Sequence, residues 1–355
     1  MKTKLFFMVP CLVALLISTL FTSSCHQAPK MQKFTEYSLD YFDTVTTIVG
    51  YEETEEAFAA VSREILSMLS DYHRLYTIYY RFDGLENLCT VNSLENGVHP
   101  TVTADRRIID MLLYAKDMYA LTDGRVNIAM GSVLSVWHDY RTRGLDDPAS
   151  AALPPQDMLL KAAEHTDIDA LIIDEEASTV WISDPAMTLD VGAIAKGYAV
   201  EMAAQMLEAR GITGYVINVG GNVRTVGPKG DGAPWVAGIE NPDDNAESPY
   251  LAYLALSGET IVTSGSYQRF YIVNGQNYHH IIDAQTLMPA IGYTSVSVVC
   301  GNSALADALS TALFCMPQEE GLALIESLDG TEAFWVADDG TQTSSSGFSA
   351  YLTEP

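Results

Sequence analysis

The chain has 355 residues, 48% hydrophobic and 18% charged, with 46 Asp and Glu against 19 Lys and Arg and a formal net charge of -27. That length and apolar content describe a folded protein of one large or two smaller domains, not a disordered one. The acidic excess argues against nucleic acid as a partner, because phosphate contacts need clustered Lys and Arg.

The N-terminus carries a targeting pattern. Lys2 and Lys4 precede an apolar run from Leu5 to Leu20, and Ser23-Ser24-Cys25 follows. Small residues directly before a cysteine resemble a bacterial lipobox, although Thr22 stands where that motif usually has Leu. The expectation is a signal peptide over 1–24, lipidation of Cys25, a short tether over 25–33 and a globular domain over 34–355. An uncleaved anchor and ordinary cleavage near Ala28 are the alternatives. Cys89, Cys300 and Cys315 show no paired or zinc-type spacing, and the last two sit in apolar runs as small buried hydrophobes.

Along the mature chain, Phe34 to Gly50 alternates polar and apolar residues and reads as a strand pair centred on Phe42-Asp43-Thr44-Val45-Thr46-Thr47-Ile48. Glu52 to Ser70 is predicted as an amphipathic helix, with Phe58, Val61, Ile65, Leu66 and Leu69 on one side. An aromatic run from Tyr72 to Phe82 follows, then Asn87 to Asn92 as a loop and Arg106 to Leu121 as a second helix. Arg143 to Pro148 is predicted as a loop, Gln156 to Glu164 as a short helix, and 171–173 with 180–182 as a hairpin. Thr188 to Val191 is predicted as a buried strand ending on Asp190. A helix follows from Lys196, then a strand over 215–219 closed by Gly220-Gly221-Asn222. Further strands are expected over 235–239, 250–256, 260–262, 269–273, 296–299 and 333–336, with helices over 304–314 and 319–327. Strands and helices interleave without a βαβ rhythm, which predicts the α+β class.

Three polar positions stand out. Asp307 and Thr311 lie four residues apart in the apolar stretch ALADALSTALF and share one helix face. They offer hard oxygen ligands for magnesium, or else form a buried, hydrogen-bonded Asp beside a packed Thr. Asp190 either meets a ligand's polar edge or caps the glycine turn behind it. His280, the second of two adjacent histidines, is a general base or a structural hydrogen-bonded side chain. The aromatics Tyr76, Tyr79, Tyr80 and Phe82 stack a planar ring or pack in the core. Neither a dinucleotide GxGxxG fingerprint nor a Walker A loop is present: Lys196 lacks the following Ser or Thr.

Seven segments, in order, resemble the FAD:protein FMN transferase family, known as ApbE. They are FDTVTTI (42–48), VNIAMGSVLSVW (126–137), LDVGAIAKGYAVE (189–201), GYVINVGGNV (214–223), VTSGSYQRFY (262–271), YHHIID (278–283) and ADALSTALF (306–314). The resemblance covers almost the whole mature chain. It implies one catalytic domain of mixed sheets with flanking helices and an FAD cleft. The implied reaction splits FAD at its pyrophosphate and passes FMN to a Thr or Ser of a target protein, releasing AMP. By the same resemblance, Asp307, Thr311 and the Ala193 carbonyl would hold Mg2+, and His280 would be the base. Asp190 would face the adenine side, and Phe42, Tyr79, Val126, Asn127, Lys196 and Ile281 would line the FAD pocket. Implied targets are flavin-bearing subunits of Rnf- or sodium-pumping NADH-type complexes, or flavin reductases, met at the outer face of a cell membrane. The sequence departs from the family where Ala284 replaces a usual proline and Asn127 a frequent Asp. FAD hydrolysis to FMN and AMP, a non-catalytic FAD-binding lipoprotein and a surface adhesin are the competing expectations.

Overall fold

The computed structural model describes residues 30–243 and 246–355; the signal segment and Cys25 lie outside them. Eight strands make the central sheet: β1 (Gln32–Tyr41), β2 (Thr44–Glu52), β3 (Tyr215–Val219), β4 (Asn222–Val226), β5 (Thr260–Gly265), β6 (Tyr293–Cys300), β7 (Glu332–Ala337) and β8 (Gln342–Ser344). They lie side by side in chain order, and every neighbouring pair is antiparallel. This is the expected α+β class, since no parallel pair demands a helical crossover.

Period-two alternation decides what each face buries. On one face Val262, Val298 and Trp335 join the main core under three helices, α1 (Glu55–Tyr76), α4 (Ala195–Ala209) and α5 (Ser303–Phe314). On the other, Ile261, Val299, Phe334 and Val336 pack with Ile239, Leu254 and Leu256 of a small sheet built from 235–240, 250–256 and 352–353. A third cluster joins α3 (Gly131–Asp146) to a hairpin over 270–273 and 276–279 through Val133, Trp137, Tyr271 and Val273. The helix α2 (Arg106–Leu121) has the bounds the sequence suggested. Cys300 and Cys315 are buried and free, and burial pushes their thiols up to about 11 and about 12.

Several expectations change. Thr188 to Val191 is extended but joins no sheet: the Asn92 amide donates to the Leu189 carbonyl (2.8 Å) and accepts its N–H (2.7 Å), doing a neighbouring strand's work. Asn87 to Asn92 is not a loop, because a reciprocal Asn87/Thr90 capping box closes a one-turn helix over Leu88–Val91. Arg143 to Asp146 continues α3 instead of forming a loop. Gln32 and Lys33 belong to β1, so the sheet starts inside the expected tether. The expected strand pair over 34–50 is present, and Phe42 and Asp43 form its β1–β2 turn, both at positive φ (55° and 51°).

One buried ion pair ties these layers together. Arg224 on β4 meets Glu201 on α4 at 3.1 Å, each side chain 3% exposed. Glu201 also accepts the Ser303 N–H at the start of α5 (2.8 Å) and the Gln205 amide (3.0 Å), so both its oxygens are used. Arg224 reaches Glu208 at the surface as well, at 2.8 Å. Glu201→Ala is expected to lower unfolding stability by about 3–5 kcal/mol, because it removes the guanidinium's one fully buried counter-charge and leaves it only the half-exposed Glu208. Glu208→Ala should cost under about 1 kcal/mol as a half-exposed partner. Urea denaturation of the two variants checks the contrast, and equal losses would refute it.

Candidate active site

A cleft of about 790 Å³ opens between the β3–β4 turn, the start of α4, one face of α3 and the segment around 279–282. Its walls bring together Tyr79, Asn127, Asp190, Ala193, Lys196, His280, Ile281, Asp307 and Thr311. Phe42 and Val126 are not on them. Val126 is 1% exposed in the main core, and Phe42 sits in its hairpin turn, its N–H donating to His73 Nδ1 (3.1 Å). Of the aromatic run only Tyr79 lines the cleft. Tyr76 is core, Tyr80 faces solvent, and Phe82 lies under the Arg74 guanidinium.

Asp307 is placed by close contact between two helices. A Cβ on Gly197 of α4 would lie 2.4 Å from both the Asp307 Cβ and the Ser303 carbonyl, so only glycine fits. With no side chain between, the Gly197 N–H donates to Asp307 Oδ2 (2.8 Å), and Lys196 Nζ stands 3.9 Å from the same oxygen. Burial raises the Asp307 pKa, while Lys196, the Gly197 amide and Asn222 hold it down. Thr311 follows one turn later, its hydroxyl 3.5 Å from Ser264 Oγ. Asn222 Oδ1, beside this carboxylate, is buried without a hydrogen-bond partner.

The adjacent histidines divide their roles. His279 uses both ring nitrogens: Nε2 lies 2.8 Å from the Ala290 carbonyl, and Nδ1 accepts the Ile281 N–H (3.2 Å). It is structural. His280 Nδ1 lies 3.2 Å from the Arg269 carbonyl; donating there leaves Nε2 as an acceptor. The His280 ring is open to the cleft, yet its enclosing walls, then the charges of Arg269, Arg141 and His279, lower its pKa to about 4.

Asp190 fulfils the capping alternative, accepting the Gly192 N–H at 2.9 Å, and also lines the cleft. Burial raises its pKa, opposed by the Gly192 amide and by His138, Lys196 and Arg141. Asn127 explains its departure from Asp. It accepts the Ala129 N–H (2.9 Å) and donates to the Thr166 carbonyl (2.9 Å), which a carboxylate could not do. Gly220 and Gly221, a candidate phosphate turn by sequence, form a two-residue hairpin turn on the cleft wall.

Sequence reasoning missed the cleft's charge. Arg125, Arg141, Lys196 and Arg269 line it against Asp139, Asp190 and Asp307, four of 19 cations facing three of 46 acids. In a chain this acidic, such a local surplus suits an anionic ligand. The arginine in VTSGSYQRFY was available as a signal; Arg141 was hidden in an unremarkable helix tail.

The profile of the ApbE family matches residues 36–335. The chain belongs to the ApbE family. Within it, an FAD:protein FMN transferase of Klebsiella pneumoniae (strain 342) is 30% identical over 273 residues, covering 74% of this chain and 81% of that protein. Another, from Treponema pallidum (strain Nichols), is 32% identical over 260 residues, covering 69% and 70%. The crystal structure of the ApbE protein of Thermotoga maritima MSB8 is similar with a TM-score of 0.76 at 25% identity, covering 92% of this chain and 100% of that one. The flavinyl transferase ApbE of Pseudomonas stutzeri, in its apo form, gives 0.73 at 25% identity, covering 92% and 98%. Membership of the ApbE family makes the chain an enzyme of the transferase class.

The low His280 pKa can be read directly. The folded value of about 4 lies below the ordinary 6.5, so the unfolded chain binds more protons between them, and this group's contribution to stability is lost as pH falls through that window. Titration of the imidazole NMR signals, assigned with His280→Gln, should find this ring neutral down to about pH 5. A midpoint at the ordinary value would contradict the desolvated, cation-flanked site.

Proposed function

We propose that the protein is a magnesium-dependent FAD:protein FMN transferase that passes FMN from FAD to a Thr or Ser of a target redox protein and releases AMP. One observation carries this reading: hard oxygen donors and a neutral histidine with an available Nε2 converge on one locally cationic cleft. The names of the family relatives point the same way.

The donor set fits Mg2+. Asp307, Thr311 and Ala193 line the same cleft and would offer a carboxylate, a hydroxyl and a backbone carbonyl oxygen, and the unpartnered Asn222 Oδ1 suits the water shell that magnesium retains. When bound, magnesium supplies charge neutralisation at the pyrophosphate oxygens.

The chain's own groups do the rest. His280 Nε2 takes the proton of the acceptor hydroxyl as its oxygen attacks the FMN phosphorus. A new P–O bond forms to Thr or Ser, the pyrophosphate P–O bond breaks, and its electron pair leaves with the AMP phosphate. Lys196, bridging the Gly192 carbonyl (3.3 Å) and Asp307, adds positive charge beside the breaking bond. Asp190 presents a carboxylate to the adenine end. Because the His280 ring is exposed to the cleft, water can replace the acceptor, and FAD hydrolysis is the competing outcome.

In the same reading Cys25 is lipidated and holds the enzyme on the outer face of a bacterial cell membrane. Flavin-bearing subunits of Rnf- or sodium-pumping NADH-type complexes, or flavin reductases, are within reach there. Mass spectrometry of an acceptor peptide incubated with FAD and Mg2+ should find FMN-labelled peptide and AMP, and EDTA should stop both. Asp307→Ala should lower turnover at least about a hundredfold with the fold retained. Free FMN without labelled peptide would establish the hydrolase instead, and wild-type labelling by the variant would remove Asp307 from the metal site.

A further inference from the structure

Two arginines in the cleft have no ionic partner among the described residues. Among the described residues, no carboxylate oxygen lies within ion-pair distance of Arg141 or Arg269, whereas Arg125 and Lys196, the other two cations on the cleft walls, each have one. Both line the cleft, Arg141 from α3 and Arg269 from the segment behind β5. They are close enough that the charge of Arg269, after burial, helps to lower the Arg141 pKa. Asp190 and Tyr79 face Arg141 and only partly offset this. Holding two guanidinium groups near each other without a counter-charge is unfavourable unless an anion completes the arrangement.

Their orientations are fixed by an imidazole and a backbone carbonyl. Arg141 Nη2 lies 3.2 Å from His138 Nδ1, and Arg269 Nη2 donates to the Asp43 carbonyl at 3.3 Å. That carbonyl is presented by the β1–β2 turn, where two non-glycine residues hold positive φ. Backbone strain of this kind persists where the surroundings over-determine it, often at functional sites. The Arg269 main chain in turn holds His280 through the 3.2 Å Nδ1 contact. One residue therefore links the candidate base to a guanidinium in the same cleft.

We infer that Arg141 and Arg269 form a two-sided clamp for the phosphoryl group undergoing transfer, on the side of the pyrophosphate where His280 receives the acceptor's proton. This rests on the transferase reading for the identity of the anion, but the clamp itself is a property of the ligand-free protein. Planar guanidinium forks match phosphate oxygens two at a time, so charge developing in the transition state is met by donors already in place. The clamp has a second effect. Unfilled, it adds to the burial that already suppresses protonation of His280, as does the neighbouring His279; filled by an anion, the arginines' share is offset, and the imidazole becomes a stronger base as substrate arrives.

The test uses inorganic pyrophosphate as probe, in metal-free buffer, on the whole folded domain. Calorimetry should show one pyrophosphate bound by the wild type, weakened at least about tenfold by Arg141→Gln and by Arg269→Gln. Arg141→Lys should restore only part of the affinity, since the charge returns without the fork. Pyrophosphate should move the His280 NMR titration midpoint upward in the wild type. In Arg141→Gln the ligand-free midpoint should already be higher and should move less. Unaltered circular dichroism and melting of each variant identify these as site effects. Unchanged pyrophosphate affinity in both variants, or a His280 midpoint indifferent to pyrophosphate, overturns the clamp. FAD turnover separates the two proposals. A wild type that binds pyrophosphate through the arginines but consumes no FAD upholds the clamp and refutes the transferase reading. Full kcat/KM in both variants refutes the clamp and leaves that reading intact.

Discussion

The site depends on a contact between two helices with no side chain at its centre. Gly197 lets α4 approach α5 until a backbone N–H reaches the Asp307 carboxylate. A carboxylate in an apolar helix is unfavourable without partners, and here the partners are that amide, Lys196 and Asn222. One turn further along α4, the Glu201–Arg224 pair anchors that helix to β4, with Glu201 also holding the first N–H of α5. The position of Asp307 thus follows from sheet, helix and helix start together, not from a flexible loop.

Charge is arranged against the composition. A protein with net charge -27 places four cations on the walls of one cleft, and Arg141 and Arg269 lack carboxylate partners there among the described residues. The local field, not the overall charge, decides which ligand can enter. It also separates two neighbouring histidines. His279 is consumed by backbone hydrogen bonds, while His280 keeps one nitrogen for chemistry and is held neutral by its surroundings.

Much of the architecture was legible where one period dominates. The apolar stripe of α2 returned its bounds, and strand alternation returned most of the central sheet. The conspicuous Asp in an apolar helix marked Asp307 before any coordinates. What failed were segments whose partner is a side chain distant in sequence. Leu189 looked like a strand residue, but Asn92, 97 positions earlier, supplies its hydrogen bonds. Arg143 to Asp146 carried breaker residues, but Gly144 is a helical residue whose missing Cβ makes room for the Tyr271 ring, not a turn. Arg141 precedes that misread stretch, and its role depends on Arg269 from another part of the chain. Val126 and Phe42 were carried over from a family pattern; the structure puts Val126 in the core and Phe42 in the β1–β2 turn beside His73, and neither lines the cleft.

The proposed magnesium site depends on the Gly197 contact, and that dependence has a direct test. Mn2+ binding can be followed by electron paramagnetic resonance in the wild type and in Gly197→Ala. One added methyl group is predicted to leave the secondary structure in place and to weaken metal binding by at least about tenfold, because Asp307 must move away from its amide donor. Equal Mn2+ affinity in the two proteins would contradict it.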